Sequence, residues 1–467
     1  MTGLEILVIG AIMKRLITLL MAAIFTIGVV APNAVADPSS NFVQIFPQLP
    51  GFTSPTSQDL ANLAQGMLDP NADSENNPAM LSVFTYFGQF IDHDLTLDTE
   101  PSPVDININP RTLSNSRTMK FDLDSVYGGG PSVAPQLYAA DRKHFLVQNP
   151  NPNGVVDLPR NADGSAILVE GRNDENEIIS QIHTTFLLVH NKLIDSGMSF
   201  GDAQTTTIRL YQWIVLKEVL PHFVGQATVD GTLNGTIQRF YKPGNPHANK
   251  TPVEFSVAAY RFGHSMVRKA YELTNATGKI QVFSGTAPDL RGGRNLPGDR
   301  QIDWGNFVPE LTKVANVPHV NISRKIDTLI SSSLFVLPIP GAEATGSNVL
   351  AFRNMTRADA YGMPSGQSVA AEMGIPVIPA TDLSNDPAFA QGTPLWFYIL
   401  AESSRATDGK TLGPVGGRLV ADVMVQLLQE DSNSILNNPF TPGAPVTPIP
   451  GQFRLADLFV FAGLATL

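Results

Sequence analysis

The chain has 467 residues, 43% of them hydrophobic, which is enough for a large buried core. Its formal net charge of −11 argues against nucleic acid as a partner, because phosphate binding needs a clustered basic surface. It contains no cysteine, which excludes structural disulfides, thiolate metal sites and a cysteine nucleophile.

In chain order, Lys14 and Arg15 precede an apolar stretch from Leu16 to Ala31, and Ala34-Val35-Ala36 follows just before Asp37. A basic flank, an apolar run and an A-x-A site read as a secretory signal over residues 1–36, cleaved after Ala36, with Met13 as an alternative start. No later segment reaches the roughly 18 apolar residues of a membrane span, so the mature chain is expected to be secreted or periplasmic, without stable membrane insertion.

Residues 37–80, rich in Pro, Asn and Ser, read as an irregular arm. From Glu177 to Ile194 the apolar residues Ile178, Ile182, Phe186, Val189 and Leu193 recur at spacings of three and four, which predicts an amphipathic helix. Further helices are predicted over Thr205–Phe223, Val253–Leu273, Pro394–Ser403, Gly417–Glu430 and Leu455–Leu467, with a short hairpin around Lys279–Phe283. The stretch Asn437–Gly451 reads as a Pro-rich connector. The expected fold class is mainly α, with few short strands and one large domain over residues 37–467.

None of the eight histidines lies in an H-E-x-x-H pattern, so a zinc hydrolase lacks its signature. Two have informative neighbours. His93 lies in YFGQFIDHDLTLD, where Gln89 and His93 share a helix face, and a neutral imidazole beside an amide suits proton shuttling between peroxide oxygens. His264 lies in AAYRFGHSMVRKA, where Gly263 leaves room for something flat, while Arg261 and Arg268 offer cations for carboxylates. The loop TMKFDLD places Thr118, Asp122 and Asp124 at alternating positions around the Lys120 carbonyl, a pattern that suits a hard cation.

In order, the chain carries GQFIDHD, FDLDSVYGGGP, GRNDEN, YRFGH and RNMTRADAYGMPSG. This series resembles the animal-type haem peroxidases of the peroxidase–cyclooxygenase superfamily, the myeloperoxidase- and peroxidasin-like group. With TPLWFYIL and LGPVGGRLVADV, it looks closest to their bacterial members. The resemblance covers about residues 40–467 and implies a haem b enzyme. Such an enzyme reduces hydrogen peroxide and oxidises small organic donors or halides through a ferryl intermediate.

The resemblance assigns His93 as the distal histidine, Gln89 as the distal glutamine and Arg172 as the distal arginine. Asp92 and Glu175 match the carboxylates that form ester links to haem methyl groups, whereas Asn176 stands where myeloperoxidase has the methionine of its sulfonium link. His264 matches the axial ligand of the haem iron, and Asn354 the residue that accepts its second N–H. Arg261 and Arg357 match positions that bind the propionates. Asp94 together with Thr118, Lys120, Asp122 and Asp124 is implied to hold one Ca2+, with Asp124 where many relatives have Ser. Two alternatives accompany this reading. One is a fatty-acid dioxygenase of the same superfamily, whose radical-forming Tyr three residues before the axial His is here Arg261; the other is a haem-free adhesion or interaction module.

Overall fold

The computed structural model describes residues 42–52, 55–71, 75–97, 115–241, 250–284, 288–311, 320–339 and 346–466. The expected export signal lies outside these residues, as do His247 and His319.

The stretch expected to be an irregular arm contains regular elements. Thr56 caps helix α1 (Ser57–Gln65): its hydroxyl accepts from the Asp59 N–H and its own N–H donates to the Asp59 carboxylate at 2.8 Å. This reciprocal cap nucleates a helix inside a loop-like composition. Strand β1 (Phe42–Val43) precedes it, and strand β2 (Asn76–Leu81) leads directly into helix α2 (Ser82–Leu95). Every residue of α2 is buried except Gln89 and Asp92. Gly88 lets Phe223 approach closely there, since a Cβ would lie 2.9 Å from its ring.

Helix α3 (Glu177–Asp195) matches its expected span closely. Asn176 sets its start, accepting from the N–H groups of Ile178 and Ile179 at 3.1 and 3.0 Å. Helix α4 (Phe200–Ile214) begins five residues before the expected Thr205, at a Ser199 cap. It continues through a π-helical turn at Val215–Val219 into a helical turn at Leu220–Val224. The wide turn accommodates Pro221, which has no N–H to continue an α-helical ladder. Helix α5 (Gln226–Asn234) follows.

The helix expected over Val253–Leu273 is not a single helix. After strand β3 (Thr251–Pro252) the chain winds as a π-helical turn at Glu254–Ala258, a 3-10 turn at Ala259–Phe262 and an α turn at Gly263–Met266. It then becomes strand β4 (Ala270–Glu272), which pairs antiparallel with β5 (Lys279–Gln281), so the expected hairpin is present. Glu254 ties the start of this stretch to the N-terminal segment, accepting from Ile45 N–H at 2.8 Å and Phe46 N–H at 3.1 Å.

Strand β6 (Ile322–Arg324) pairs antiparallel with β2, and β1 pairs parallel with β3. The later helices are α6 (Leu350–Ala360), α7 (Leu395–Thr407), α8 (Pro414–Glu430) and α9 (Leu455–Ala462). α8 starts earlier than expected because Pro414 occupies its first position, where no N–H is needed. α9 stops earlier, at Gly463, whose φ of 82° ends the helix. α2 packs on α3, on the Gly171–Asp174 turn and on the Gly263–Met266 turn, while α6 and α7 back the His264 segment. The fold is mainly α, a single helical architecture with short paired strands. Among the described residues no helix is long and apolar enough to cross a membrane.

Candidate active site

Gln89 and Asp92 are the half-exposed residues of an otherwise buried helix, three positions apart on one face, with His93 beside them at 4% exposure. Opposite them, GRNDEN forms a 3-10 turn at Gly171–Asp174 that leads into α3. Gln89 donates through Nε2 to Glu175 Oε1 and accepts from Asn176 Nδ2 at 3.4 Å. His93 Nε2 lies 4.0 Å from Glu175 Oε1, and its Nδ1 lies 2.9 Å from Asn173 Oδ1. Burial, reinforced by Arg172, pushes the His93 ring down to about 3, so it is neutral at ordinary pH. Burial lifts the Glu175 carboxyl to about 7, partly offset by Arg172, although its side chain is 42% exposed.

Arg172 is held by its neighbours. Its N–H and Nε donate to Glu170 Oε1 at 3.0 and 2.9 Å, and Nη2 donates to Glu170 Oε2 at 3.0 Å. Nη2 also reaches the backbone oxygens of Thr96 and, at 3.4 Å, His93. Nη1 lies 4.0 Å from Asp92 Oδ2, and Asp92 Oδ1 accepts from the Thr96 hydroxyl at 3.1 Å. Burial alone would raise Glu170, but Arg172 and Arg117 overcome it and hold the carboxyl at about 2.

On the other side, Asn354 of α6 presents its amide to His264 Nδ1 at 2.9 Å. The amide nitrogen faces the ring, whereas an accepting oxygen was expected; a half turn of the amide exchanges the two. Burial, then Arg261, pushes His264 down to about 3. Gly263 is half-buried, and a Cβ built on it would meet no atom within 4 Å, so open space adjoins His264. Trp396 stands edge-on to the His264 ring at 6.4 Å, and its Nε1 donates to the Arg261 carbonyl at 3.1 Å. Arg261 donates through Nε to the Ser256 carbonyl at 3.0 Å, and Arg357 is half-buried on α6. Arg353 of α6 is lowered by burial and by Arg261, so two guanidiniums repel each other beside the open space.

These residues fit a flat, anionic, metal-centred cofactor such as haem. They supply a neutral imidazole for a metal ion, adjacent guanidiniums for carboxylates, and polar side chains on α2, which packs on the His264 segment.

A second cluster lies next to the first. One oxygen of each of Asp94, Asp122 and Asp124 lies within 4.8 Å of the others. Asp94 is fully buried, accepting from the Ser125 hydroxyl at 2.8 Å and the Leu123 N–H at 3.2 Å. Burial raises all three carboxyls, and neighbouring Asp charges push Asp94 and Asp124 further, leaving Asp124 at about 7. Thr118 gives its hydroxyl to Asp122 at 2.8 Å and its N–H to Asp124 at 3.0 Å. Lys120 acts on Asp122 through its charge. Asp124 Oδ1 accepts no hydrogen bond, with Arg117 Nη1 3.5 Å away.

Sequence reasoning did not assign Asn173, His183, Glu170, Arg117 or Arg353. Asn173 lies inside the GRNDEN motif and Glu170 one residue before it, while Arg353 opens the RNMTR run. Arg268, offered as a cation for carboxylates, instead donates through Nε to the Ile322 carbonyl at 2.6 Å.

A family model described as animal haem peroxidase matches residues 99–385. Thyroid peroxidase of Rattus norvegicus is 25% identical over 187 residues, which cover 34% of this chain and 20% of that protein. The chain therefore matches only about a fifth of the length of this relative. Among solved structures, peroxidase A from Dictyostelium discoideum superposes with a TM-score of 0.57 at 18% identity, covering 85% of this chain and 87% of that one. The fatty acid alpha-dioxygenase of Oryza sativa superposes with a TM-score of 0.55 at 14% identity, covering 82% of this chain and 75% of that one.

Proposed function

Because the chain belongs to the animal haem peroxidase family, we propose that it binds haem b through His264 and reduces hydrogen peroxide with His93 and Arg172. What carries this reading is the pairing, across packed elements, of a polar group around His93 with the His264–Asn354 pair. When bound, haem supplies the redox chemistry that cleaves the peroxide bond and stores its oxidising power. His93 is neutral, so Nε2 can take a proton from one peroxide oxygen and return it to the other, which then leaves as water. Arg172, clamped by Glu170, steadies the negative charge that develops on the departing oxygen. Gln89 orders the small molecule that enters beside His93.

Asn354 orients His264, and Arg261 and Arg357 take the propionates. Asp92 and Glu175 would be the candidates for ester links to a bound haem. Asp94, Asp122 and Asp124, with Thr118 and the Lys120 carbonyl, hold Ca2+ and anchor the end of α2. The electron donor is a small organic molecule or a halide. The protein acts outside the cytoplasm after loss of residues 1–36, residues 37–467 forming its domain. For fatty-acid oxygenation, Arg261 occupies the place of the required Tyr.

The test is stopped-flow reaction of haem-loaded protein with peroxide. His93→Ala should slow the peroxide step by roughly 10²–10⁴-fold with the Soret band kept. His264→Ala should lose the Soret band. A His93→Ala rate equal to wild type overturns the assignment.

A further inference from the structure

Asn173 is fully buried, and its amide joins two histidines. Oδ1 lies 2.9 Å from His93 Nδ1, and Nδ2 lies 3.0 Å from Nδ1 of His183, a residue of α3 that is 3% exposed. Neither end of this bridge is loose. The Asn173 N–H donates to the Glu170 carbonyl at 2.9 Å. The His183 ring stands edge-on to Phe90 at 6.3 Å, and Phe90 is stacked on Phe186 at 5.0 Å.

An amide has one accepting end and one donating end, so its orientation dictates the tautomer of each imidazole it touches. With Oδ1 on His93, that ring carries its proton on Nδ1 and keeps a lone pair on Nε2. With Nδ2 on His183, that ring accepts on Nδ1 and carries its proton on Nε2. Turning the amide over inverts both tautomers, and His93 Nε2 would then already hold a proton. Both rings are buried, at 4% and 3% exposure, where an imidazole is held neutral, so the choice of tautomer is real.

We propose that Asn173 and His183 are positioning residues: the Asn173 amide, held between the two rings, couples their tautomers and keeps His93 in the one whose Nε2 can accept a proton. This rests on the reading of His93 as the residue that handles peroxide. The chain His93–Asn173–His183 thus extends the site into the interior of α3, where no substrate reaches.

The test uses full-length, haem-loaded protein with 15N-labelled histidine, in the diamagnetic ferrous carbonyl form. Long-range 1H–15N correlations should show the proton on Nδ1 of His93 and on Nε2 of His183. In His183→Leu the amide loses its acceptor, so Nε2–H should appear on His93 and the peroxide step should slow about 10–100-fold, with the Soret band unchanged. His183→Asn places an amide oxygen where Nδ1 stood and should restore the tautomer and a rate within about threefold of wild type. Asn173→Asp, which keeps an acceptor for His93 and loses the donor to His183, should preserve Nδ1–H on His93 even if His183→Leu fails to fold. Nε2–H on His93 in the wild type, or a His183→Leu protein with unaltered tautomer and rate, overturns the proposal. If His93→Ala slows the peroxide step while His183→Leu does not, this relay alone fails; if His93→Ala is also without effect, the functional reading fails.

Discussion

Glu170 is 1% exposed and serves two guanidiniums, those of Arg172 and Arg117. Neutralising a buried carboxylate between two cations deprives both of their shortest ion pair, and such losses cost several kcal/mol. Glu170→Gln should therefore lower unfolding stability by about 3 kcal/mol in a urea titration, whereas neutralising the exposed pair Arg405–Asp382 should cost under about 1 kcal/mol. Glu170 was invisible in the sequence because nothing in its neighbours marks a carboxylate as buried. Asn173 and His183 were hidden for a related reason: an amide becomes informative only when both of its ends are seen. By contrast, Gln89 and His93 were legible, since a spacing of four on a helix fixes a shared face before any packing is known. Asn176 was read only as the absence of a methionine; its contribution is to cap α3 and hold Gln89.

At the scale of elements, apolar spacing located α3, α7 and α8 to within a few residues, because their buried apolar residues recur at helical intervals. The same spacing failed over Val253–Leu273, since π, 3-10 and α turns share a similar apolar rhythm over so short a span. What breaks the winding there includes tertiary contact, notably the anchoring of Glu254 to Ile45 and Phe46. Burial pushes the Glu254 carboxyl from 4.5 up to about 7, despite the two N–H groups that pull it down. A carboxyl raised on folding binds its proton more tightly in the native state, so its stabilising effect is present at low pH and lost as pH rises through about 7. Glu254→Gln removes that loss. Relative to wild type, the variant should gain roughly 2–3 kcal/mol between about pH 5 and about pH 8 in denaturant titrations. A pH-independent difference would show that the carboxyl does not titrate in this window.

Across the molecule, two sets of buried groups oppose each other. His93, His183, His190 and His264 are lowered by burial from 6.5 to between about 3 and about 4, so their contribution is lost as pH falls below 6.5. Glu218, Glu254 and Glu402 are raised by burial from 4.5 to about 7, so theirs is lost as pH rises toward 7. Between 4.5 and 6.5 the two trends offset each other. Below 4.5 the contribution of these carboxylates is complete and grows no further, while the histidines still resist protonation and the stabilisation from Glu170, held at about 2, starts to be lost. Cooperative acid unfolding is therefore expected to begin below about pH 4.5, as followed by far-ultraviolet circular dichroism. Onset near pH 6 would mean that the histidines act without the carboxylate counterweight. The stretch from Glu254 to Met266, which passes through π, 3-10 and α turns, is the one that aims His264 at Asn354. An engineer who filled it with alanine would raise helix propensity and even out the coil. The imidazole would then be carried around the axis, away from its amide. Thermal hardiness and chemical competence pull on the same few residues in opposite directions.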